Sequence, residues 1–226
     1  MRSFNPRMDV LPAAQKAIWP DLQPMERLGF VLYGGTAIAL RLGHRTSVDF
    51  DFFTDQMLNK DILKQKLSLL KVSKVIQDSP ETLTILVPNP VADSGPIKVS
   101  FFGSINFGRV GEPERTADGV LQVASLEDLF ALKLKVILQR VESKDYLDIA
   151  ALIKYGQRLD GGLAAASALY RNEFQPAESL KALVYFQGGD LRLLAPAIKK
   201  ILIEAVRDVG QIPKIDLASR FLAEKL

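Results

Sequence analysis

Two aspartates separated by one phenylalanine, in Ser47-Val-Asp-Phe-Asp-Phe-Phe53, constrain this chain more than any other feature. Side chains alternate faces along a strand, so this stretch predicts Val48, Phe50 and Phe52 on one face and Asp49 and Asp51 on the other. At the rise of a strand their Cα atoms lie about 6–7 Å apart, near enough for both carboxylates to converge on one ion. Like charges so placed repel, and one takes up a proton unless a cation holds both ionised. Mg²⁺ (or Mn²⁺) suits such a pair, because it uses one or two carboxylates and completes its shell with water and substrate phosphates. The plain alternative is a solvent face. Asp is depleted in strands, however, where an exposed face would more usually carry Thr.

The residues just upstream give the aspartates a setting. Phe30-Val-Leu-Tyr33 is a short apolar run ending at Gly34-Gly35, which reads as a buried strand closed by a turn that needs positive φ or close backbone approach. A helix should start near Thr36, run through Ala37, Ile38, Ala39 and Leu40, and stop at Gly43. The free N–H groups and dipole at its N-terminus favour phosphate. A phosphate cradle and a metal platform thus fall side by side. His44, the sole histidine, reads equally as a turn residue and as a phosphate contact.

Gly34-Gly35, thirteen residues and then Asp49-x-Asp51 resembles the signature of the nucleotidyltransferase fold shared with DNA polymerase β. The wording Gly-Gly-Thr-Ala-x-Ala-Leu, followed by His-Arg-x-Ser-x-Asp-Phe-Asp-Phe-Phe, is similar to the AbiEii/AbiGii toxin branch, the nucleotidyltransferase-like toxins of bacterial toxin–antitoxin and phage-defence systems. The resemblance implies metal ligation by Asp49 and Asp51, and triphosphate binding by Gly34, Gly35 and Thr36. Ser47 would add a hydroxyl beside the metal and Arg45 would stabilise phosphate charge. In the family, the strand matching Ile97-Lys-Val-Ser-Phe-Phe102 commonly supplies a third carboxylate, where this chain has Ser100.

Composition narrows the class. The 226 residues are 48% hydrophobic and 24% charged with a net charge of +3, ordinary for a globular protein. Residues 1–120 carry 14 basic and 13 acidic groups and the remainder 15 and 13, so neither half is a basic arm. Zero cysteines exclude disulfides and thiolate chemistry, and one histidine excludes a multi-histidine metal site. No apolar run reaches membrane-spanning length and the first residues lack a signal-peptide core, so no membrane partner and a cytoplasmic location are expected.

The rest of the chain supplies a frame. Residues 1–29 suggest one or two short helices leading into the first strand, with Trp19 as packing. A helix capped at Asn59 or Asp61 should run to about Leu70, with Ile62, Leu63, Leu67 and Leu70 on one face. Val72–Gln77 and Thr82–Val87 read as a hairpin, Pro88 to Pro96 as a loop, and residues 103–119 as a Gly-rich loop. From Ser125, which with Asp128 resembles a capping box, the pattern is helical. Lys133 falls within an apolar stripe and needs a partner, for which Asp145 and Asp148 are candidates at the start of a helix that Ser143 would cap; Lys144 lies one i+4 step from Asp148. Later helices are expected near Leu163–Asn172, Ala177–Tyr185, Asp190–Val209 with a kink or restart at Pro196, and Leu217–Lys225. Leu-Glu-Asp-Leu-Phe-Ala-Leu-Lys133, Arg140 and Lys144-Asp-Tyr-Leu-Asp148 again resemble the AbiEii branch, which implies that Lys133 contacts nucleotide phosphates and that Asp145 orients it or assists the metal. An internal salt-bridge network is the other reading.

The expectation is therefore an α+β protein: a nucleotidyltransferase-like mixed sheet over residues 1–120, then a C-terminal helical bundle over 121–226, with nucleotide in the cleft between them. The function expected is magnesium-dependent transfer of a nucleotidyl group from an NTP to a hydroxyl of a tRNA 3′ end or a protein side chain, in a toxin with a partner antitoxin. The alternative is a non-catalytic nucleotide-binding or interaction module, which Ser100 favours.

Overall fold

A computed structural model of the chain describes residues 2–89, 91 and 95–224. It divides into two compact units. The first comprises residues 1–108, 112–124 and 220–226, and the second residues 109–111 and 125–219. The single boundary read from the sequence at residue 120 thus becomes a discontinuous division, because the last segment returns to the first unit.

The first unit contains, in chain order, β1 (Ser3–Phe4), α1 (Ala13–Ile18), α2 (Pro24–Arg27), β2 (Val31–Tyr33), α3 (Gly34–Leu42), β3 (Phe50–Phe53), α4 (Lys60–Lys66), β4 (Lys74–Ser79), β5 (Thr82–Val87), β6 (Ile97–Phe102), β7 (Glu114–Thr116) and β8 (Gln122–Val123). The strands form one sheet in the order β1-β7-β8-β2-β3-β6-β5-β4. At its centre β3 runs antiparallel to β2 and parallel to β6. With a neighbour on each side, β3 has both faces fixed. Phe50 and Phe52 point into the core with Phe30 and Phe101, the Phe52 and Phe101 rings stacking at 5.8 Å between centroids. Each such buried ring contributes on the order of 2–3 kcal/mol.

The second hairpin strand, the 97–102 strand and the Asn59 cap lie where the sequence places them, while the first hairpin strand is Lys74–Ser79, two residues later than the expected Val72–Gln77, because the pairing with β5 continues through Asp78 and Ser79 up to the tight turn. The Asn59 side chain accepts from the Ile62 N–H at 3.0 Å. The 88–96 loop falls partly outside the described residues. Val48 departs from the expected alternation and is 49% exposed, because β3 begins only at Phe50 and the two preceding residues follow a non-strand path. No helix forms over 217–224. Other segments take that backbone instead: Arg109 bonds with Ala218 and Ser219, the Asp55 carboxylate accepts from the Leu222 N–H, and the Gln122 amide pairs both ways with the Glu224 backbone.

The second unit holds α5 (Leu126–Val136), α6 (Ser143–Lys154), α7 (Leu159–Tyr170), α8 (Pro176–Val184) and α9 (Pro196–Arg207). Pro196 restarts the chain after a 3₁₀ turn over Gly189–Leu193. Asp190, where the sequence predicts the start of a helix to Val209, accepts from the backbone N–H and hydroxyl of Ser143, and so caps α6 from a distant segment. Ser125 caps α5 by accepting from the Asp128 N–H at 3.0 Å. The Asp128 carboxylate in turn accepts from the Ser125 hydroxyl and from the Val110 and Gly111 N–H groups, tying residues 109–111 to this unit.

Asp128 is 1% exposed, and burial pushes its carboxyl up to about 6 against the downward pull of those hydrogen bonds. A folded-state pKa above the unfolded value means that protonation favours the fold, so this contribution is full below about 4 and is lost as pH rises to 6. Between pH 4 and 7 the wild type should lose about 2–3 kcal/mol of unfolding free energy relative to Asp128→Asn. Parallel pH profiles of the two proteins in urea unfolding would contradict this.

Candidate active site

The turn after β2 and one face of β3 and β6 meet at Asp51, with Ser100 buried on that face. Antiparallel register sets Tyr33 opposite Asp51, and parallel register sets Asp51 beside Ser100. Gly34 has φ +77°, and a Cβ there would stand 2.7 Å from Asp51 Oδ2, so glycine is needed for both its backbone and its missing side chain. Helix α3 starts at this contact and ends at Gly43, whose left-handed φ of 66° closes it. The uncapped first turn of α3 therefore begins against the Asp51 carboxylate.

Asp49 lies immediately before β3 and is placed through its backbone. The buried Thr36 hydroxyl donates to the Asp49 carbonyl and shares a 2.7 Å hydrogen bond with the buried Ser47 hydroxyl. Asp49 is itself partly exposed and has Lys98 Nζ 3.7 Å from its Oδ2. Arg45 donates to the Thr46 carbonyl beside it in sequence. The structure thus brings Gly34, Gly35, Thr36, Ser47, Asp49 and Asp51 together on α3, β3 and the link between them.

Two carboxylates and the Ser100 hydroxyl are oxygen donors of the kind a hard divalent ion takes, and the N–H groups of the adjacent helix N-terminus suit the phosphate that would complete its shell. No cluster of three or more His, Cys, Asp or Glu occurs among the described residues. Lys98 is the member of this face missing from the sequence reading. The signal was present: Lys98-Val-Ser100 repeats the spacing of Asp49-Phe-Asp51 on the neighbouring strand.

Lys133 and Asp145 lie in the second unit. Lys133 is 4% exposed and meets the two candidate partners, Asp145 at 2.6 Å and Asp148 at 2.7 Å, both fully buried. Asp145 also receives two hydrogen bonds from the Arg140 guanidinium, at 2.8 and 3.0 Å. Burial alone would raise the Asp145 carboxyl, but the Arg140 hydrogen bonds and the Lys133 charge outweigh it and hold the group below the usual carboxylate range. Lys144 does not reach along the helix to Asp148; it pairs with Glu142 at 2.8 Å.

This architecture is the nucleotidyltransferase fold. The chain resembles MenT4, a nucleotidyltransferase toxin of Mycobacterium tuberculosis H37Rv, with a TM-score of 0.56 over 86% of this chain and 83% of that one at 11% identity. It also resembles an antigenic nucleotidyltransferase-like protein of Paracoccidioides brasiliensis, with a TM-score of 0.52 over 95% and 97% of the two chains at 14% identity. Residues 23–210 match the family model of the nucleotidyl transferase AbiEii toxin, type IV TA system, and the chain belongs to that family. The uncharacterized protein aq_aa25 of Aquifex aeolicus (strain VF5) is 34% identical over 161 residues, covering 70% of this chain and 74% of that protein.

Two substitutions test the geometry. Gly34→Ala should cost about 1–2 kcal/mol of unfolding free energy for its left-handed backbone and, by moving Asp51, should weaken Mn²⁺ binding; unchanged metal affinity would contradict the contact. Lys133→Met leaves buried carboxylates without their shared cation and should cost about 3–5 kcal/mol in urea unfolding, part of which Asp148→Asn in the same protein restores. A loss below about 1 kcal/mol would show that Lys133 does not brace the helices.

Proposed function

We propose that the chain transfers a nucleotidyl group from an NTP to a hydroxyl acceptor, with Asp49 and Asp51 holding Mg²⁺ or Mn²⁺. The observation that carries this reading is the close seat of the Asp51 carboxylate against Gly34, at the point where α3 presents its N-terminus. Phosphate and a divalent cation then share one locus. A bound ion would neutralise charge on the phosphates and hold both carboxylates ionised.

The chain's own groups do the rest. The backbone N–H groups of Gly34, Gly35 and Thr36 bind the triphosphate, while the Thr36 and Ser47 hydroxyls fix the Asp49 backbone. Arg45 adds positive charge at the phosphates. In the reaction the acceptor oxygen bonds to the α-phosphorus, the bond from that phosphorus to the β-phosphate oxygen breaks, pyrophosphate leaves and the hydroxyl proton is lost. Lys133 and Asp145 keep the catalytic duty that the family resemblance implies, and turnover per folded molecule separates it from their bracing role. The acceptor is a tRNA 3′ end or a protein side chain. A cognate antitoxin is the expected partner and the cytoplasm the expected location. No helix among the described residues is long and apolar enough to cross a membrane.

Ser100 favours a second reading, a nucleotide-binding module without turnover. Incubation with each α-labelled NTP, Mg²⁺, total tRNA and cell extract separates the two. Label should enter RNA or protein with wild type and fall by at least about 100-fold in Asp49→Ala and in Asp51→Ala. Their melting temperatures should hold or rise slightly as carboxylate repulsion is relieved. Full activity in either variant would overturn the metal assignment, and NTP binding without labelled product would establish the binding module.

A further inference from the structure

We infer that Lys98 is a phosphate-binding residue of this site, held on Asp49 when no nucleotide is bound and transferred to the triphosphate when one arrives. This rests on the proposed function and adds to it a cation that the chain carries itself. Three observations support it. Lys98 Nζ lies 3.7 Å from Asp49 Oδ2, beyond close hydrogen-bond distance, and its side chain is 42% exposed, so the ammonium is attracted without being fixed. Two residues along the same strand, Ser100 is in register with Asp51, so period-two alternation sets Lys98 and Ser100 on the face of Asp51, and the Lys98 contact brings Asp49 to the same face. That face of β6 then offers a hydroxyl and an ammonium to the two carboxylates, and no third carboxylate.

That composition decides what the face binds. A third carboxylate would add negative charge and favour a further divalent ion, whereas Lys98 adds a positive charge on a flexible stem. One divalent ion leaves a triphosphate with negative charge in excess, and an ammonium within a side chain's reach would join Arg45 in meeting it. Before nucleotide binds, Lys98 competes with the ion for Asp49. With nucleotide present, the ion takes Asp49 and Lys98 turns to phosphate oxygen. The ligand chemistry is therefore polyphosphate, and the competition gives a readout independent of turnover.

The test uses the full chain with Lys98→Met and Lys98→Arg. Mn²⁺ binding to the nucleotide-free protein, followed by its paramagnetic resonance signal, should tighten about 3–10-fold in Lys98→Met and stay near wild type in Lys98→Arg. Binding of a non-hydrolysable NTP analogue in the presence of Mg²⁺ should weaken about 10-fold in Lys98→Met and be largely retained in Lys98→Arg. Mn²⁺ affinity unchanged or weakened in Lys98→Met, or unchanged analogue affinity, would overturn the assignment of Lys98 alone. Wild type that binds neither Mn²⁺ nor the analogue would overturn the nucleotidyltransferase reading together with it.

Discussion

The central strand β3 cannot slip. Its backbone is bonded to β2 on one side and to β6 on the other, and a shift by one residue would move Phe50 and Phe52 out of the core and drive Asp51 into it. Burying those two rings contributes several kcal/mol, and burying an unpaired carboxylate costs at least as much, so register and chemistry are locked by the same energy difference. The site follows from it. With Asp51 fixed outward, the neighbouring chain must pass close to its carboxylate, and Gly34 is the residue that permits the approach.

Patterns of one strand or one helix were legible because their causes are local. The 97–102 strand alternates between a Pro-Gly-rich loop and a glycine, the Gly34-Gly35 turn precedes helix-forming residues, and Asn59 caps the helix it begins. The site's backbone supports were less legible because they cross the chain. Thr36 and Ser47 read as phosphate and metal contacts, yet their hydroxyls are buried against each other and the Asp49 carbonyl. Asp190 looks like a cap and is one, but for a helix 47 residues away. The apolar spacing of 217–225 reads as helical, and residues 217–224 take irregular structure because distant residues capture their backbone, Lys225 lying outside the described residues. Propensity gives way wherever tertiary hydrogen bonds offer the same groups better partners.

The helical unit uses charge differently. Lys133, Asp145, Asp148 and Arg140 combine two carboxylates with two cations, near neutrality, around carboxylates that are wholly buried. Such a cluster contributes little net stability over an apolar core, but removing one member leaves an uncompensated charge. It therefore specifies how α5 and α6 meet more strongly than it stabilises them. A lysine inside an apolar stripe was a visible signal, since sequence alone requires it to find a partner.

The two charge systems differ in the way their functions would require. Around Lys133 the charges are matched, short and dry. Around Asp49 and Asp51 they are looser and wetter: Lys98 Nζ stands 3.7 Å from Asp49 Oδ2 with both side chains partly exposed, and α3 starts against the Asp51 carboxylate. On the proposed reading, Ser100 in place of a third carboxylate, with Lys98 two residues away on the same face, would reduce the number of external cations this face needs to hold a polyphosphate.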